Sequence, residues 1–372
     1  MKKKKVLFLI HDLLGGGAEK VLVNLVNNMD FSRFDITVLS LFDEGVNKQF
    51  LNEKVHYLSV YKKMFRGNQH YFKLFSPAQL HKRFIKNFYD IEIAYLEGPC
   101  ARIISGCQNK ETKLVSWIHI EQQSTKVAAS SFRSVQEANV CYNKFHSIIC
   151  VSESVKQDFQ SILSIKVPVK VLYNTNESQK IIQLSKEELT DILFPESYCN
   201  IIAIGKLLRS KGFDVLLRIV NKLVSEGYRL HLFILGAGEL ENELKKYIAN
   251  NNLKKHVDML GYCENPYKYL AHSDLFVCAS LREGFSTAAT EALILGIPVC
   301  TVNVSGMKEL LGMNNEYGLV TDNNEESLLN GIKQLLDDPD LLLHYKKQAE
   351  ARGKVFNTEN TVKAVENMLI GL

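Results

Sequence analysis

The sequence lacks a long hydrophobic run. None of its 372 residues lies in an apolar segment near the roughly 20 residues that a membrane-spanning helix needs. The basic opening is followed by an apolar run from Val6 to Ile10 only, which is shorter than a signal-peptide core and is followed by His11 and Asp12. We therefore interpret this run as a first β-strand and expect a cytoplasmic protein.

Cysteine pairs at the spacing of metal or redox sites are also lacking. None of the eight cysteines forms a C-x-x-C pair, and three of them, Cys150, Cys278 and Cys300, lie in strand-like runs. Buried reduced thiols in a cytosolic protein explain this usage better than disulfides or zinc sites do.

Acidic residues are absent from residues 54–89, which contain eight Lys or Arg residues. The imbalance extends further, because residues 1–174 carry 24 basic and 15 acidic residues, whereas the remainder carries 21 and 26. The first half is therefore the candidate surface for an anionic partner. Aromatic residues are interleaved with the basic ones in this stretch: Tyr61, Phe65, Tyr71, Phe72, Phe75, Phe84 and Phe88.

What the sequence does contain is an alternation of apolar, strand-like runs with amphipathic, helix-like segments. In the second half NIIAIG, RLHLFILG, DLFVCAS and IPVCTV alternate with helix patterns such as FDVLLRIVNKLVSEG. This alternation predicts parallel sheets covered by helices on both faces. We expect two doubly wound α/β domains, 1–175 and 176–355, with the polar stretch 174–191 as the linker. Residues 356–372 are expected to form a helix that can pack back on the first domain.

Ligands of such sheets bind beyond the carboxyl ends of the strands, so the loops at those ends are the candidate sites. The first strand is followed by HDLLGGGAEK, in which Gly15, Gly16 and Gly17 let backbone N–H groups approach a phosphate or a sugar. The loop is not a nicotinamide-cofactor fingerprint, because Lys20 stands where the third glycine belongs. A merely flexible turn is the alternative.

A second loop, KLLRSKGFD, follows the strand NIIAIG. Lys206 stands at the strand end, and Lys211 precedes Gly212 and a helix. Two ammonium groups over one loop would neutralise a diphosphate without a metal ion. Two solvated surface lysines are the alternative.

A third loop, in LREGFSTAATEALILG, carries two carboxylates. Glu283 precedes a helix that we expect to begin near Ser286 or Thr287, and Glu291 lies about one turn inside it. A capping box would need Ser or Thr at position 288, where the sequence has Ala288. Carboxylates here would accept hydrogen bonds from sugar hydroxyls while the helix N–H groups bind a phosphate, and together these groups would bind a nucleotide-sugar. Solvated glutamates are the alternative.

Taken together, these motifs resemble glycosyltransferase family 4. EGFSTAATE is an E-x7-E motif, and GGGAE, GKLLRSKGFDVLL, LGAGELENEL and EALILGIPVCTVNVSG extend the resemblance over essentially the whole chain, most strongly from 200 to 312. The resemblance implies a GT-B fold, in which two doubly wound Rossmann-like domains face a central cleft. It also implies a retaining hexosyltransferase whose N-terminal domain binds the acceptor and whose C-terminal domain binds a nucleotide-diphosphate sugar, with uridine as the expected base.

The resemblance further implies roles for individual residues. Glu283 would bind hydroxyls of the transferred sugar, and Glu291 would bind the ribose. Lys206 and Lys211 would bind the diphosphate, although the family usually has Arg where Lys206 stands and Lys lacks the bidentate fork. The remaining expected donor-binding residues are Gly16 and Gly17 from the first domain, and Gly205, Gly236, Tyr262, Gly284, Phe285, Ser286 and Thr287 from the second.

His119 ends the strand-like run of KLVSWIHIEQQ in the first half. Taken alone, such a residue is more often a structural histidine, but the resemblance implies that it faces the sugar. We expect it to hydrogen-bond the donor sugar rather than to act as an obligatory base, and we group it with Glu283, Lys206 and Lys211 as catalytic.

The expected reaction needs no cofactor and no metal ion. Retention without an evident nucleophile suits a same-face mechanism. In this mechanism the diphosphate leaves as the acceptor hydroxyl arrives, and an oxygen of the leaving diphosphate takes the proton of that hydroxyl. The only D-x-D motif, Asp338-Pro339-Asp340, lies between two helix patterns, and we interpret it as structural.

For the basic stretch we predict contact with an anionic membrane surface through Lys62, Lys63, Arg66, Lys82, Arg83 and Lys86. Such contact would bring a saccharide acceptor, linked to polyprenyl diphosphate, to the site at the inner face of the cell membrane. A solvated face with inward-packed aromatics is the alternative, and single-stranded nucleic acid is a poor third partner that we do not expect.

We thus expect a retaining, metal-independent glycosyltransferase of surface polysaccharide or glycoconjugate biosynthesis. A nucleotide-sugar epimerase of the same architecture and a non-catalytic glycosyltransferase-like subunit are the alternatives. The presence of Glu283, Glu291 and both lysines argues against the second.

Overall fold

The computed structural model describes residues 3–372, which fold into two compact units. The first unit comprises the chain up to Asn176 together with 358–372, and the second comprises 177–357. Each unit is a parallel sheet with helices on both faces, because its strands are apolar almost throughout and must be covered on both sides. The predicted α/β class is therefore confirmed.

The first unit contains seven strands. They are β1 (Lys4–Ile10), β2 (Phe34–Phe42), β3 (His56–Tyr61), β4 (Ile91–Ala94), β5 (Lys113–Ile118), β6 (Ser147–Cys150) and β7 (Val169–Val171). They pair in parallel in the order β3-β2-β1-β4-β5-β6-β7, so the order reverses between β1 and β4. The helices between them are α1 (Gly17–Asn28), α2 (Asn68–Lys73), α3 (Pro77–Phe84), α4 (Pro99–Ile104), α5 (Thr125–Ala128), α6 (Val135–Tyr142) and α7 (Glu153–Ile162).

The second unit contains six strands, again all parallel. They are β8 (Cys199–Ile204), β9 (Leu230–Leu235), β10 (Val257–Gly261), β11 (Leu275–Cys278), β12 (Val299–Val302) and β13 (Leu319–Thr321). Their order is β10-β9-β8-β11-β12-β13, with the reversal between β8 and β11. The helices are α8 (Ser178–Leu184), α9 (Phe213–Ser225), α10 (Glu241–Asn250), α11 (Tyr267–Ala271), α12 (Thr287–Ile294), α13 (Met307–Leu311), α14 (Glu325–Asp337) and α15 (Pro339–Gly353).

The last helix, α16 (Thr358–Ile370), belongs to the first unit. Lys4 Nζ donates to Leu369 O over 3.1 Å, and Asp30 N donates to Glu366 Oε1 over 2.6 Å. Residues 174–191, predicted to be a linker, are not extended throughout, because they include α8 with its buried Ile181.

The cysteines are thiols, as predicted. All eight are free, and burial raises the pKa of Cys150 and of Cys300 to about 12, which keeps both protonated at neutral pH.

Among residues 3–372 no helix combines the length and the apolar content that crossing a bilayer requires.

Candidate active site

Three loops of the second unit meet at the carboxyl edge of its sheet. β8 and β11 are neighbours, and the chain order reverses between them, which is where ligands of doubly wound sheets bind. Leu281 N donates to Ser210 O over 2.8 Å, and Leu207 N donates to Ala237 O over 3.0 Å. The segments that follow β8, β9 and β11 therefore form one hydrogen-bonded surface.

Lys211 and Glu283 form an ion pair on this surface. Lys211 Nζ lies 2.6 Å from Glu283 Oε1, and the two side chains are 29% and 12% exposed. Partial removal from water strengthens the attraction between the two charges relative to a fully exposed pair. Lys206, the other lysine expected to bind a diphosphate, directly follows Gly205 after β8, but its side chain is exposed. The structure therefore pairs one of the two predicted lysines with the predicted sugar-binding carboxylate.

The loop that carries Glu283 leads directly into α12. This helix begins at Thr287, as predicted, and Ser286 Oγ caps it by accepting a hydrogen bond from Ala289 N over 3.3 Å. Gly284 and Phe285 connect Glu283 to this cap, and the Phe285 side chain is buried. The first turn of α12, whose N–H groups carry partial positive charge, thus begins a few residues beyond the ion pair.

Glu291 is buried inside α12. Its side chain is on the fifth residue of the helix, the residue is only 3% exposed, and Oε1 accepts a hydrogen bond from Tyr267 OH over 3.3 Å. Because Glu283 and Glu291 are both largely buried, the alternative of solvated glutamates is wrong. Tyr267 was not predicted as part of the site, because a tyrosine in a short helix such as α11 shows no pattern that indicates which residue it faces.

Gly236 allows the loop after β9 to approach the backbone of Gly205 closely. Gly205 N donates to Leu235 O over 3.0 Å, and Gly236 N donates to Gly261 O over 2.7 Å. Gly236 has a φ of +142°, and a Cβ at this position would overlap Gly205 O. The next predicted donor-binding residue, Tyr262, directly follows β10 and its side chain is exposed.

The glycine loop of the first unit is an ordered turn. Gly16 is the N-cap residue of α1, and Gly17 is its first residue. Gly16 N donates to Leu14 O over 2.8 Å, and Leu14 N donates to Asp12 Oδ1 over 3.0 Å. The loop follows β1 at the point where the strand order of this sheet reverses.

His119 directly follows β5 in the first unit. Its backbone N donates to Glu97 Oε2 over 3.0 Å, and its ring centroid lies 4.8 Å from that of Tyr95. Burial lowers the pKa of His119 to about 3, although a hydrogen bond with the Tyr95 backbone acts in the opposite direction. Nε2 is buried and has no hydrogen-bond partner within residues 3–372. The imidazole is therefore neutral at physiological pH.

The D-x-D motif is a helix cap. Asp338 Oδ1 accepts a hydrogen bond from Leu341 N over 3.0 Å at the start of α15, and Pro339 is the first residue of that helix. The structural interpretation of this motif is confirmed.

The basic stretch of the first unit keeps its charges in solvent but packs most of its rings inward. The side chains of Lys62, Lys63, Arg66, Lys82, Arg83 and Lys86 are all exposed. Phe72 and Phe84 are buried with ring centroids 5.9 Å apart, and Tyr61 lies 5.9 Å from Phe84. Most of the aromatics therefore pack inward, as the alternative of a solvated face predicted, and they form a cluster at the end of β3. The large apolar side chains that the stretch does expose are Leu58, Met64, Leu74 and Phe88.

Two Rossmann-like units, one of them with a lysine–glutamate pair beside a helix start at its switch point, are typical of the GT-B class of glycosyltransferases. Comparison with known proteins agrees. The chain matches the family described as Glycosyltransferase Family 4 over residues 15–175 and the family described as Glycosyl transferases group 1 over residues 185–352.

Individual relatives and structures agree as well. One relative from Campylobacter jejuni is the N-acetylgalactosamine-N,N'-diacetylbacillosaminyl-diphospho-undecaprenol 4-alpha-N-acetylgalactosaminyltransferase. It is 29% identical over an alignment of 377 positions, which covers 99% of this chain and 100% of that protein. An uncharacterized glycosyltransferase of Methanocaldococcus jannaschii is 30% identical over 298 residues, which span 71% of this chain and 73% of the relative. The crystal structure of Anabaena HepE in complex with UDP has a TM-score of 0.78 at 19% identity and covers 99% of this chain and 100% of its own. The chain belongs to glycosyltransferase family 4, and its predicted GT-B fold is confirmed.

Proposed function

We propose that this glycosyltransferase moves a sugar from a uridine-diphosphate donor to a saccharide acceptor linked to polyprenyl diphosphate. We further propose that it retains the anomeric configuration, needs no metal ion and acts in surface polysaccharide or glycoconjugate biosynthesis. The observation that carries the proposal is the pair of Lys211 and Glu283, 2.6 Å apart at the switch point of the second unit. The name of the Campylobacter relative includes diphospho-undecaprenol, and the Anabaena structure contains UDP, which supports these classes of acceptor and donor.

In the proposed reaction the acceptor hydroxyl attacks the anomeric carbon from the face that the diphosphate leaves. The bond to the diphosphate oxygen breaks as the glycosidic bond forms, and that oxygen takes the hydroxyl proton. Lys211 Nζ and the N–H groups at the start of α12 would stabilise the charge that collects on the diphosphate. A fixed ammonium and a helix N-terminus can supply charge stabilisation of the kind that a divalent metal ion provides elsewhere.

Three further side chains would position the donor. Glu283, which already accepts a hydrogen bond from Lys211, would accept hydrogen bonds from hydroxyls of the transferred sugar. Glu291 would accept them from the ribose, with Tyr267 holding its carboxylate in place. For His119 of the first unit, the role of a neutral residue that hydrogen-bonds the sugar stays a prediction. Positioning of this kind lowers the barrier without a chemical step on the protein.

We expect UDP to stabilise the protein against thermal unfolding. At 100 times its Kd, a ligand that binds only the folded state contributes about 2.7 kcal/mol, which corresponds to a rise in Tm of roughly 3 °C or more for a protein of this size. The measurement is a thermal shift with UDP, with ADP and GDP as controls for the base. The absence of any shift with every nucleoside diphosphate would contradict the donor site.

The same protein, supplied with UDP-sugars and a lipid-linked saccharide, should form a product whose anomeric configuration matches that of the donor. Neither Mg²⁺ nor Mn²⁺ should raise the rate. An inverted linkage, or a rate that depends on either ion, would reject the corresponding part of the proposal while leaving the glycosyltransferase assignment intact.

An epimerase of the same architecture is not favoured, since the named relatives and both matching families are glycosyltransferases. Conversion of the donor into an isomer when no acceptor is present would support the epimerase alternative. Recovered donor that keeps its configuration is the expected result.

We also propose that the first unit contacts the inner face of the cell membrane. The six basic side chains predicted to contact the membrane are all exposed, and so are Leu74, at 72%, and Phe88, at 47%. Basic residues near an anionic bilayer each contribute about 1 kcal/mol, and apolar side chains can enter the headgroup region. A lipid-linked acceptor is itself held at such a surface.

The variant Lys62→Gln/Lys63→Gln should bind anionic vesicles about 30-fold more weakly, because it removes two charges worth about 1 kcal/mol each. Co-sedimentation with anionic and with neutral vesicles measures this partitioning. Lys254→Gln/Lys255→Gln, which removes two exposed lysines of the second unit, is the matched control and should bind like the wild type. Equal, weak pelleting of the wild type with both kinds of vesicle would end the membrane proposal.

A further inference from the structure

Three side chains with metal-binding atoms converge in the first unit away from the loops discussed above. His81 Nε2 lies 2.7 Å from Glu92 Oε2, and Cys107 Sγ lies 4.0 Å from Glu92 Oε1. One donor atom from each of the three residues lies within 4.8 Å of the other two. Imidazole, carboxylate and thiol together form a donor set that is typical of zinc sites.

The fold holds each of these residues by a different element. His81 is in the last turn of α3, Glu92 is the second residue of β4, and Cys107 follows α4. The neighbouring Gly106 has no room for a side chain, because a Cβ there would overlap Pro77 O at the start of α3. This close approach fixes the chain beside α3 and places Cys107 next to the histidine.

Glu92 is a buried carboxylate whose partner in the structure is the His81 side chain, 2.7 Å away. The residue is 2% exposed on β4, the central strand of the seven-stranded sheet, and a carboxylate there is costly unless it is paired. His81 and Cys107 are half-buried, so the third side of the cluster opens toward solvent and a cation can enter without unfolding. A water molecule can supply the fourth ligand that tetrahedral zinc takes.

We propose that His81, Glu92 and Cys107 form a binding site for a divalent cation of borderline softness, with Zn²⁺ as the expected ion. Donor atoms around one zinc ion lie about 3–4 Å from each other, so the present spacings need only small side-chain rotations. Coordination uses the thiolate and the neutral imidazole, and the protons of the free ligands pass to solvent.

The site stabilises the first unit and takes no part in the sugar transfer proposed above. Glu92 stands near the amino end of β4, whereas the Gly15–Gly17 loop and His119 follow the carboxyl ends of β1 and β5. In a parallel sheet these are opposite edges. The sequence analysis did not favour zinc because the sequence has no C-x-x-C pair. Three ligands that lie on separate elements do not produce such a short spacing, so this site could not be recognised from the sequence.

The experiment titrates the full-length, metal-free protein with Zn²⁺ against a chromophoric chelator and repeats the titration with Co²⁺. We expect one tight site per chain, a rise in Tm on zinc addition and a thiolate-to-Co²⁺ charge-transfer band. Cys107→Ser and His81→Gln should each weaken Zn²⁺ at least about 100-fold and abolish the rise in Tm, since loss of a direct ligand exceeds the effect of an outer partner. The Cys107 variant should also lose the cobalt band.

Cys263→Ser is the matched control, because Cys263 is a half-buried thiol of the second unit, and it should bind Zn²⁺ like the wild type. Cys107 is only half-buried, so Cys107→Ser should fold. Circular dichroism checks that it does. The test therefore does not depend on Glu92→Gln, which replaces a buried carboxylate and can fail to fold. No stoichiometric binding by the wild type, or unchanged binding by Cys107→Ser, would overturn the proposal and leave the cluster as a buried histidine–glutamate pair. Neither result would bear on UDP binding by the second unit.

Discussion

Lys211→Ala should lower kcat/KM for sugar transfer by about 10²–10³-fold, the usual effect of deleting one group that stabilises charge in the transition state. The ammonium lies 2.6 Å from Glu283 and is only partly exposed, so its removal also leaves a largely buried carboxylate without this cation. The variant should bind UDP more weakly, because the diphosphate loses a fixed positive charge. Steady-state kinetics and calorimetric titration with UDP measure the two effects.

Glu283→Gln separates the role of the carboxylate from that of the ammonium. It should lower transfer by a similar factor while leaving UDP affinity close to that of the wild type, because the glutamate is expected to bind the sugar and not the nucleotide. The double variant should lose less than the product of the two single effects, as is usual for side chains in direct contact. Lys254→Ala, an exposed lysine of the same unit, serves as the control. Transfer at the wild-type rate in both single variants would reject these roles.

Gly236→Ala should destabilise the second unit by about 3 kcal/mol or more and lower its Tm by roughly 6–12 °C. The residue has a φ of +142°, and the added Cβ would overlap Gly205 O, which is backbone and can move only if the loop after β8 moves. Because that loop leads to Lys206 and Lys211, UDP affinity should fall as well. Differential scanning calorimetry and UDP titration measure both quantities.

Gly227→Ala is the matched control for backbone strain. Gly227 also has a positive φ, +92°, but an added Cβ meets nothing within 4 Å. Gly227→Ala should therefore lower the free energy of unfolding by about 1–2 kcal/mol, which is the cost of a left-handed backbone conformation alone. It should leave UDP affinity unchanged. If Gly236→Ala melts no lower than Gly227→Ala, the close approach of the two loops does not matter for stability.

Local patterns in the sequence predicted the parts of this protein that local physics controls. Apolar runs such as those of β8 and β9 marked the buried strands, and the periodicity of α9 marked a helix with one buried face. The start of α12 was predicted because polar residues that favour caps precede an apolar segment. The D-x-D motif was interpreted as structural because it lies between two helix patterns, and the structure shows that Asp338 caps α15.

The basic stretch shows where a local pattern is insufficient. Its rings recur without a helical or a strand period, so the sequence did not say which of them face inward, and composition alone suggested a membrane interface. The structure packs Phe72 and Phe84 into the core and exposes Leu74 instead. The polar segment that became α8 was missed because a short helix with one buried isoleucine has too little periodicity to recognise.

By itself, the sequence determined that the chain forms two α/β units with glycines, lysines and glutamates in the loops after the strands, and the order of these motifs is enough to identify the family. Only the tertiary structure decided which of these groups meet. Lys211 and Glu283 are 72 residues apart and touch because β8 and β11 are neighbours in the sheet. His81, Glu92 and Cys107 converge because α3 and α4 pack beside β4. Packing between segments that are distant in the sequence determines which of these residues are in contact. The residue pattern within one segment does not indicate its contacts with another.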